Sequence, residues 1–331
     1  MPELQFLILT VIVLALLFDF INGFHDTANA IATSVSTRAI KPAHAIIMAA
    51  ILNFIGAIYS TGVAKTIGGD IVASAEMVDE HIIIAALVGS IIWNLFTWYV
   101  AMPSSSSHAL VGGIIGAVLV STGSTGLNFM GIGKIVLSLI ASPLIAIFSG
   151  FIVMSVLFLL FGRFAPSALN GRFKKMQILS AAAMAFSHGS NDAQKCMGII
   201  TLALLSGGYI STFEVPEYVK FLCAGAMACG TAIGGWRIIR TIGGKIFKLE
   251  PISGFAADLN SSIVIFSATL LHLPVSTTHV VSGSIMGVGT AKRIRAVRWG
   301  VAQQMLAAWV LTIPCTAVMG ALAYQIVLWI F

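Results

Sequence analysis

The stretch MPSSSSHALVGG, residues 102–113, sets four serines and a histidine between two strongly apolar runs. The stretch LPVSTTHVVSG, residues 273–283, does the same with nearly the same letters. The surroundings are those of a bilayer protein. Of 331 residues, 58% are hydrophobic and only 9% charged, and mean hydropathy is +0.99. Soluble domains carry about 25% charged residues. Segments 82–93 and 135–161 reach or flank the roughly 20 residues that a spanning helix needs. No ten-residue segments alternate with period two, which argues against an outer-membrane barrel. The predicted fold class is an all-α polytopic membrane protein. The first apolar run, 4–21, follows Glu3 rather than a basic segment and lacks a small-residue cleavage site, so it does not read as a signal peptide.

Charge placement predicts topology. Four loops hold 14 of the 18 Lys and Arg. They carry Arg38 and Lys41; then Arg163, Arg172, Lys174 and Lys175; then Arg237, Arg240, Lys245 and Lys248; and last Lys292, Arg293, Arg295 and Arg298. By the positive-inside rule these loops face the cytoplasm. The acidic residues Asp70, Glu76, Asp79, Glu80, Glu214 and Glu217 fall in the other loops. The net charge of +6 is therefore a topology signal and does not indicate nucleic-acid binding.

Five crossings result for residues 1–161: 4–36, 45–64, 82–101, 103–121 and 134–161. A basic cytoplasmic linker, 162–175, follows. Five more crossings fill 176–331: 176–205, 221–236, 251–272, 274–290 and 299–331. The stretches flanking Pro103 and Pro274 either cross or re-enter as hairpins, so the total is about 10–12 segments, and the parity is unchanged. An odd count per half inverts the second half relative to the first.

Inverted copies should share motifs in order. NGFHDTAN (22–29) aligns with HGSNDAQK (188–195) at an offset of 166, and PSSSSHALVG (103–112) with PVSTTHVVSG (274–283) at an offset of 171. Inverted-topology repeats with matched polar interruptions are the signature of a secondary transporter whose site lies near the midplane.

The interruptions suit a small oxyanion. Proline followed by Ser or Thr starts a helix, whose free N–H groups and positive dipole end attract anions. Ser105, Ser106, Ser107, Ser276, Thr277 and Thr278 add neutral donors. An isolated serine in a membrane helix usually bonds its own backbone; a duplicated cluster beside proline reads as a site. Asp26 and Asp192 are the sharpest residues. A charged aspartate at bilayer depth costs at least about 2.5 kcal/mol, so such residues are usually functional. Two aspartates beside an anion make sense if each is protonated or holds a cation, which couples uptake to a cation gradient. Lys195, three residues after Asp192, either neutralises it or contacts the anion. Asn22, Asn29, Asn191 and Gln194 are further ligand candidates, and Asp258 is a second-tier coupling residue. Asp19 is a weaker one, having no acidic partner in the other half. His25 and His188 either carry protons or bond backbone freed at a helix break near Gly23 and Gly189. His108 and His279 fit packing at least as well. The four cysteines have neither zinc-ligand nor redox spacing and read as small buried hydrophobes.

FDFINGFHDTANAIATSVSTRA, AFSHGSNDAQKCMGI, PSSSSHALVGG and LPVSTTHVVSG together resemble the paired signatures of the inorganic phosphate transporter (PiT) family, and the similarity extends over essentially the whole chain. The resemblance implies cation-driven uptake of inorganic phosphate in a multi-pass cell-membrane protein, a site between the two Ser/Thr motifs, and homodimers. It places Ser105 and Ser276 at the motif serines implicated in phosphate handling, and Asp26 and Asp192 at the motif aspartates. Sodium-coupled members resemble GAND in both halves and carry a glutamate where this chain has Asn53; Asp258 stands where they have another glutamate. The missing carboxylate at Asn53 favours H+ over Na+ as the coupling cation, with Na+ at Asp26 and Asp192 the other option. No other cofactor and no fixed metal is expected. A sulfate or other tetrahedral-oxyanion permease of the same family is the near alternative; an intramembrane hydrolase and a passive anion channel are remote ones. No G-x-S-x-G or H-E-x-x-H motif supports an enzyme.

Overall fold

The computed structural model describes residues 2–164, 166–234, 236–244 and 246–330. Lys245 of the third basic loop lies outside the described residues. Among these residues helices dominate, and the one β feature is an isolated bridge between Val72 and Leu127. The first half comprises α1 (Pro2–Ser36), α2 (Pro42–Tyr59), α3 (Gly62–Gly69), α4 (Glu80–Tyr99), α5 (Ser106–Ser121) and α6 (Phe129–Phe161). The second comprises α7 (Pro166–Ser206), α8 (Glu217–Ile233), α9 (Trp236–Gly244), α10 (Pro251–Leu270), α11 (Thr277–Lys292) and α12 (Trp299–Ile330). Their lengths run 35, 18, 8, 20, 16 and 33 residues, then 41, 17, 9, 20, 16 and 32. Packing repeats with the partners exchanged: α2 lies on α7 as α8 lies on α1, and α6 lies on α11 as α12 lies on α5.

Among the described residues, five helices are long and apolar enough to cross a membrane by themselves: Leu4–Ser36, Pro42–Tyr59, Glu80–Tyr99, Phe129–Phe161 and Trp299–Ile330. Three of them, and α10, have a local start signal where the polar chain gives way. Pro42 and Pro251 occupy first-turn positions, where a missing N–H costs nothing. Asp79 and Asn128 accept from the backbone N–H of Ile82 and Gly131 at 2.9 and 3.1 Å.

Two sequence expectations change. The basic segment 162–175 is not a loop. α7 begins at Pro166, so Arg172, Lys174 and Lys175 ride on helix. Nor do α1 and α7 break at Gly23 and Gly189; both run straight through. The glycines instead remove side chains at crossings. A Cβ on Gly23 would overlap the Met227 carbonyl oxygen of α8, and one on Gly189 the Asn53 carbonyl oxygen of α2. Long helices tolerate glycine where neighbours supply the packing.

The breaks that matter lie between α4 and α5 and between α10 and α11. Each first helix ends in a left-handed residue, Ala101 at φ 55° or His272 at φ 58°. Met102 N–H then reaches Thr97 O at 2.9 Å and Leu273 N–H reaches Ala268 O at 2.8 Å, the Schellman pattern that satisfies terminal carbonyls. Both hairpins return to the face they left. α4 starts beside the end of α7, where Ser206 Oγ donates to Val78 O, and after α5 the chain rejoins that face through Ala73 N–H on Gly126 O. The feet of α10 and α11 are joined by Lys292 and Glu250 at 2.8 Å.

α6 and α12 start near opposite ends of α1. α6 starts where α1 starts, since Asn128 N–H bonds Ile71 O and Glu80, at the head of α4, approaches Ile8 around Gly207. α12 starts where α1 ends: Ser36 Oγ donates to Gly243 O, and Arg298 N–H bonds Ile246 O close by.

Candidate functional site

The tips of the two hairpins meet inside the protein. Ser107 Oγ of α5 donates to Val275 O at 2.8 Å, and the rings of His108 and His279 stand 4.5 Å apart. His279 also stacks on Trp309 at 4.0 Å, which agrees with packing roles for this pair. Ser105 and Ser276 cap the new helices, accepting from His108 N–H at 3.2 Å and His279 N–H at 3.3 Å. The first turns of both helices, with N–H groups that have no intrahelical acceptor, thus converge on one buried place.

The motif aspartates lie against those first turns in matching ways. Asp26 receives Thr278 Oγ1 at 3.2 Å and Ser106 Oγ at 3.5 Å, and His25 Nδ1 lies 2.8 Å from its Oδ1. Asp192 receives Thr277 Oγ1 at 3.0 Å and Lys195 Nζ at 2.5 Å. His188 Nε2 lies 3.3 Å from Asp192 Oδ2, at ion-pair distance though outside hydrogen-bond geometry. Asn29 Nδ2 donates to Thr278 at 2.9 Å and to Thr277 at 3.4 Å, so both threonines of α11 reach across to the first half. Every one of these side chains is buried. A ligand atom from each of Asp26, His188 and Asp192 falls within 4.8 Å of the others, a separation one small cation could bridge.

Other candidates sit around this centre. Asn53 bonds His188 Nδ1 at 3.1 Å and Thr231 at 3.0 Å, so it orients the histidine. Asn191 is tied to the second hairpin tip through Thr269, Leu273 O and Val275 N–H. Gln194 holds the start of α3 by accepting from Val63 N–H at 2.7 Å. Asp258 lies apart: its Oδ1 accepts from Thr33 at 2.5 Å, about two turns beyond Asp26 on α1. Asn22 is buried with both side-chain polar atoms unpartnered.

Sequence reading missed Thr97 and Thr269, which lie near the residue before each motif aspartate. Thr97 Oγ1 stands 3.4 Å from His25 Nε2, and Thr269 Oγ1 accepts from Asn191. A threonine in the last turn of the helix before each proline was the available signal. Of the cysteines, Cys196 and Cys223 are buried as expected, whereas Cys229 is exposed and Cys315 half-buried.

The model of the Phosphate transporter family matches residues 22–320. The chain belongs to the phosphate transporter family. It is 52% identical, over the full length of both chains, to a protein of Bacillus subtilis named a probable low-affinity inorganic phosphate transporter. A Rhizobium meliloti protein of the same name is 45% identical over 96% of each chain. Among solved structures, one titled the sodium-dependent phosphate transporter superposes with a TM-score of 0.90 at 26% identity, covering 98% of this chain and 100% of that one. This member of the phosphate transporter family is therefore a multi-pass membrane transporter and not an enzyme.

Proposed function

We propose that the chain imports inorganic phosphate by symport with a cation, protons being the coupling ion. The observation that carries this reading is the convergence of two capped helix starts and both buried aspartates on shared hydroxyls. Helix starts and hydroxyls supply neutral donors for an oxyanion. Ser106, Thr277, Thr278 and the Lys195 ammonium form the anion side, with Ser105, Ser107 and Ser276 shaping it by capping and joining the tips. Asp26 and Asp192 form the acidic coupling side, with Asn29, Asn53 and Asn191 holding the groups around them, Asn22 a further ligand candidate and Asp258 a more distant member. An anion entering against a negative interior loses about 2.3 kcal/mol per charge per 100 mV, so a co-transported positive charge is required for accumulation.

Lys195 favours protons over sodium. Its ammonium already occupies Asp192 Oδ1 at 2.5 Å, a place a metal cation would need. Asn53, bound to His188, also supplies no carboxylate. Sodium remains the second reading, on the three clustered acceptor groups and the sodium-dependent relative. The mirrored lengths, the exchanged packing and the opposite starting faces of α6 and α12 support two inverted repeats, 1–161 and 176–331, in a cell membrane with the basic loops inside. A homodimer is the assembly the family resemblance implies.

The test is phosphate uptake into proteoliposomes under an imposed proton or sodium gradient, with excess sulfate as competitor and Asp26→Asn alongside. Proton-driven, sulfate-resistant uptake abolished by the substitution is expected. Sodium-driven uptake would replace the coupling ion, and strong sulfate competition would replace the substrate.

A further inference from the structure

Asp26 and Asp192 both have nitrogen and oxygen donors as carboxylates; a third buried acid has no such donor. Asp19 lies on α1 seven residues before Asp26, on nearly the same helix face and about 10 Å along the axis. It is fully buried, and neither carboxyl oxygen has a hydrogen-bond partner. The ionisable groups facing it are Cys196, Lys195 and Asp192 from α7 and Cys223 from α8. α4, also packed on α1, carries its own ionisable groups, Glu80 and His81, in its first turn. The thiols adjoin the carboxyl without meeting hydrogen-bond geometry, and the Lys195 ammonium is held by Asp192. A bare carboxylate in such a place would forfeit the donors that buried charge requires, whereas a neutral acid needs few. Thiols are weak donors and suit the neutral form.

We propose that Asp19 carries the coupling proton through the occluded state. This rests on the proton-driven reading and deepens it. In the occluded state Asp26 and Asp192 are satisfied by the hairpin tips and Lys195, while Asp19 is protonated. It gives up the proton only when Lys195, whose positive charge acts on it, is released from Asp192 by movement of the site. While Lys195 is paired its charge is taken up by Asp192, and when freed it favours the proton's departure, because an ammonium beside a carboxyl stabilises the ionised form. The sequence supplies no counterpart in the other half, where Ala185 stands 166 residues on. One proton-carrying acid on one side of a paired site is what a single coupling step needs.

The experiment compares wild type, Asp19→Asn and Asp19→Glu in proteoliposomes, measuring two processes. Net uptake driven by a proton gradient needs the empty carrier to lose its proton and return. Exchange of internal for external phosphate, at equal pH on both sides, needs only the loaded carrier to move. Asparagine mimics the protonated acid, so Asp19→Asn should keep exchange and lose net uptake, and Asp19→Glu should keep both with a displaced pH profile. Net uptake by Asp19→Asn at the wild-type level overturns the proposal, as does loss of exchange together with uptake in folded protein. Should the asparagine variant fail to fold, Asp19→Glu decides alone: net uptake at an unchanged pH profile overturns it. Absence of proton-driven uptake in the wild type would instead overturn the proton reading itself.

Discussion

At the scale of single residues, the site holds two carboxylates that share threonine hydroxyls and differ in the charged neighbour, His25 beside Asp26 and Lys195 on Asp192. Lys195 is wholly buried and makes its ion pair with Asp192 within one helical turn. Removing one partner of such a pair leaves an uncompensated buried charge, at a cost of roughly 3–5 kcal/mol. Lys195→Ala is therefore expected to lower thermal stability sharply in detergent, and Asp192→Asn in the same chain should restore much of it. Equal stability of the single and double variants would show that the pair is not coupled. Thr278 makes a second test. Its hydroxyl accepts from Asn29 and donates to Asp26, joining α11 to α1. Thr278→Val keeps the shape and strands two buried groups, a loss of about 1–3 kcal/mol that Thr278→Ser should largely avoid. Phosphate uptake measured for both variants should be weak for valine and near wild type for serine.

At the scale of elements, close helix crossings and capped hairpins position these residues. A Cβ on Gly116 of α5 would overlap the Ala317 carbonyl oxygen of α12, and one on Gly287 of α11 the Ile147 carbonyl oxygen of α6. Gly225 on α8 meets nothing within 4 Å. Gly116→Val and Gly287→Val should each cost about 1–3 kcal/mol or more through overpacking, while Gly225→Ala should be close to neutral by the same melting measurement. The hairpins were readable in advance, because proline beside Ser and Thr at two matched places announces a helix start. The continuity of α1 and α7 was not. Gly23 and Gly189 beside a polar motif read locally as breaks, and only the backbone of α8 or α2 lying against them explains why glycine is there. Thr231, the partner of Asn53, was likewise invisible: 178 residues separate the two.

At the scale of the whole molecule, the halves interlock rather than stand side by side. α1 packs on α8 and α2 on α7, and both aspartate sites take hydroxyls from α11. Halves made as separate chains, 1–161 and 166–331, should give no phosphate uptake alone and recover it when co-expressed. Uptake by either half alone would contradict a shared site. Motif order and spacing carried this interdependence as a repeat, but the exchange of partners between the copies needed the folded structure.

The shorter of the two hydroxyl bonds to Asp26 comes from Thr278, 252 residues later in the chain. During synthesis, then, α1 enters the bilayer with its aspartate lacking that bond until α11 emerges from the ribosome. Biogenesis must keep a polar, unfinished first half from finding other partners for most of the time translation takes, so the last hairpin to be made is the step that commits the protein to its native state.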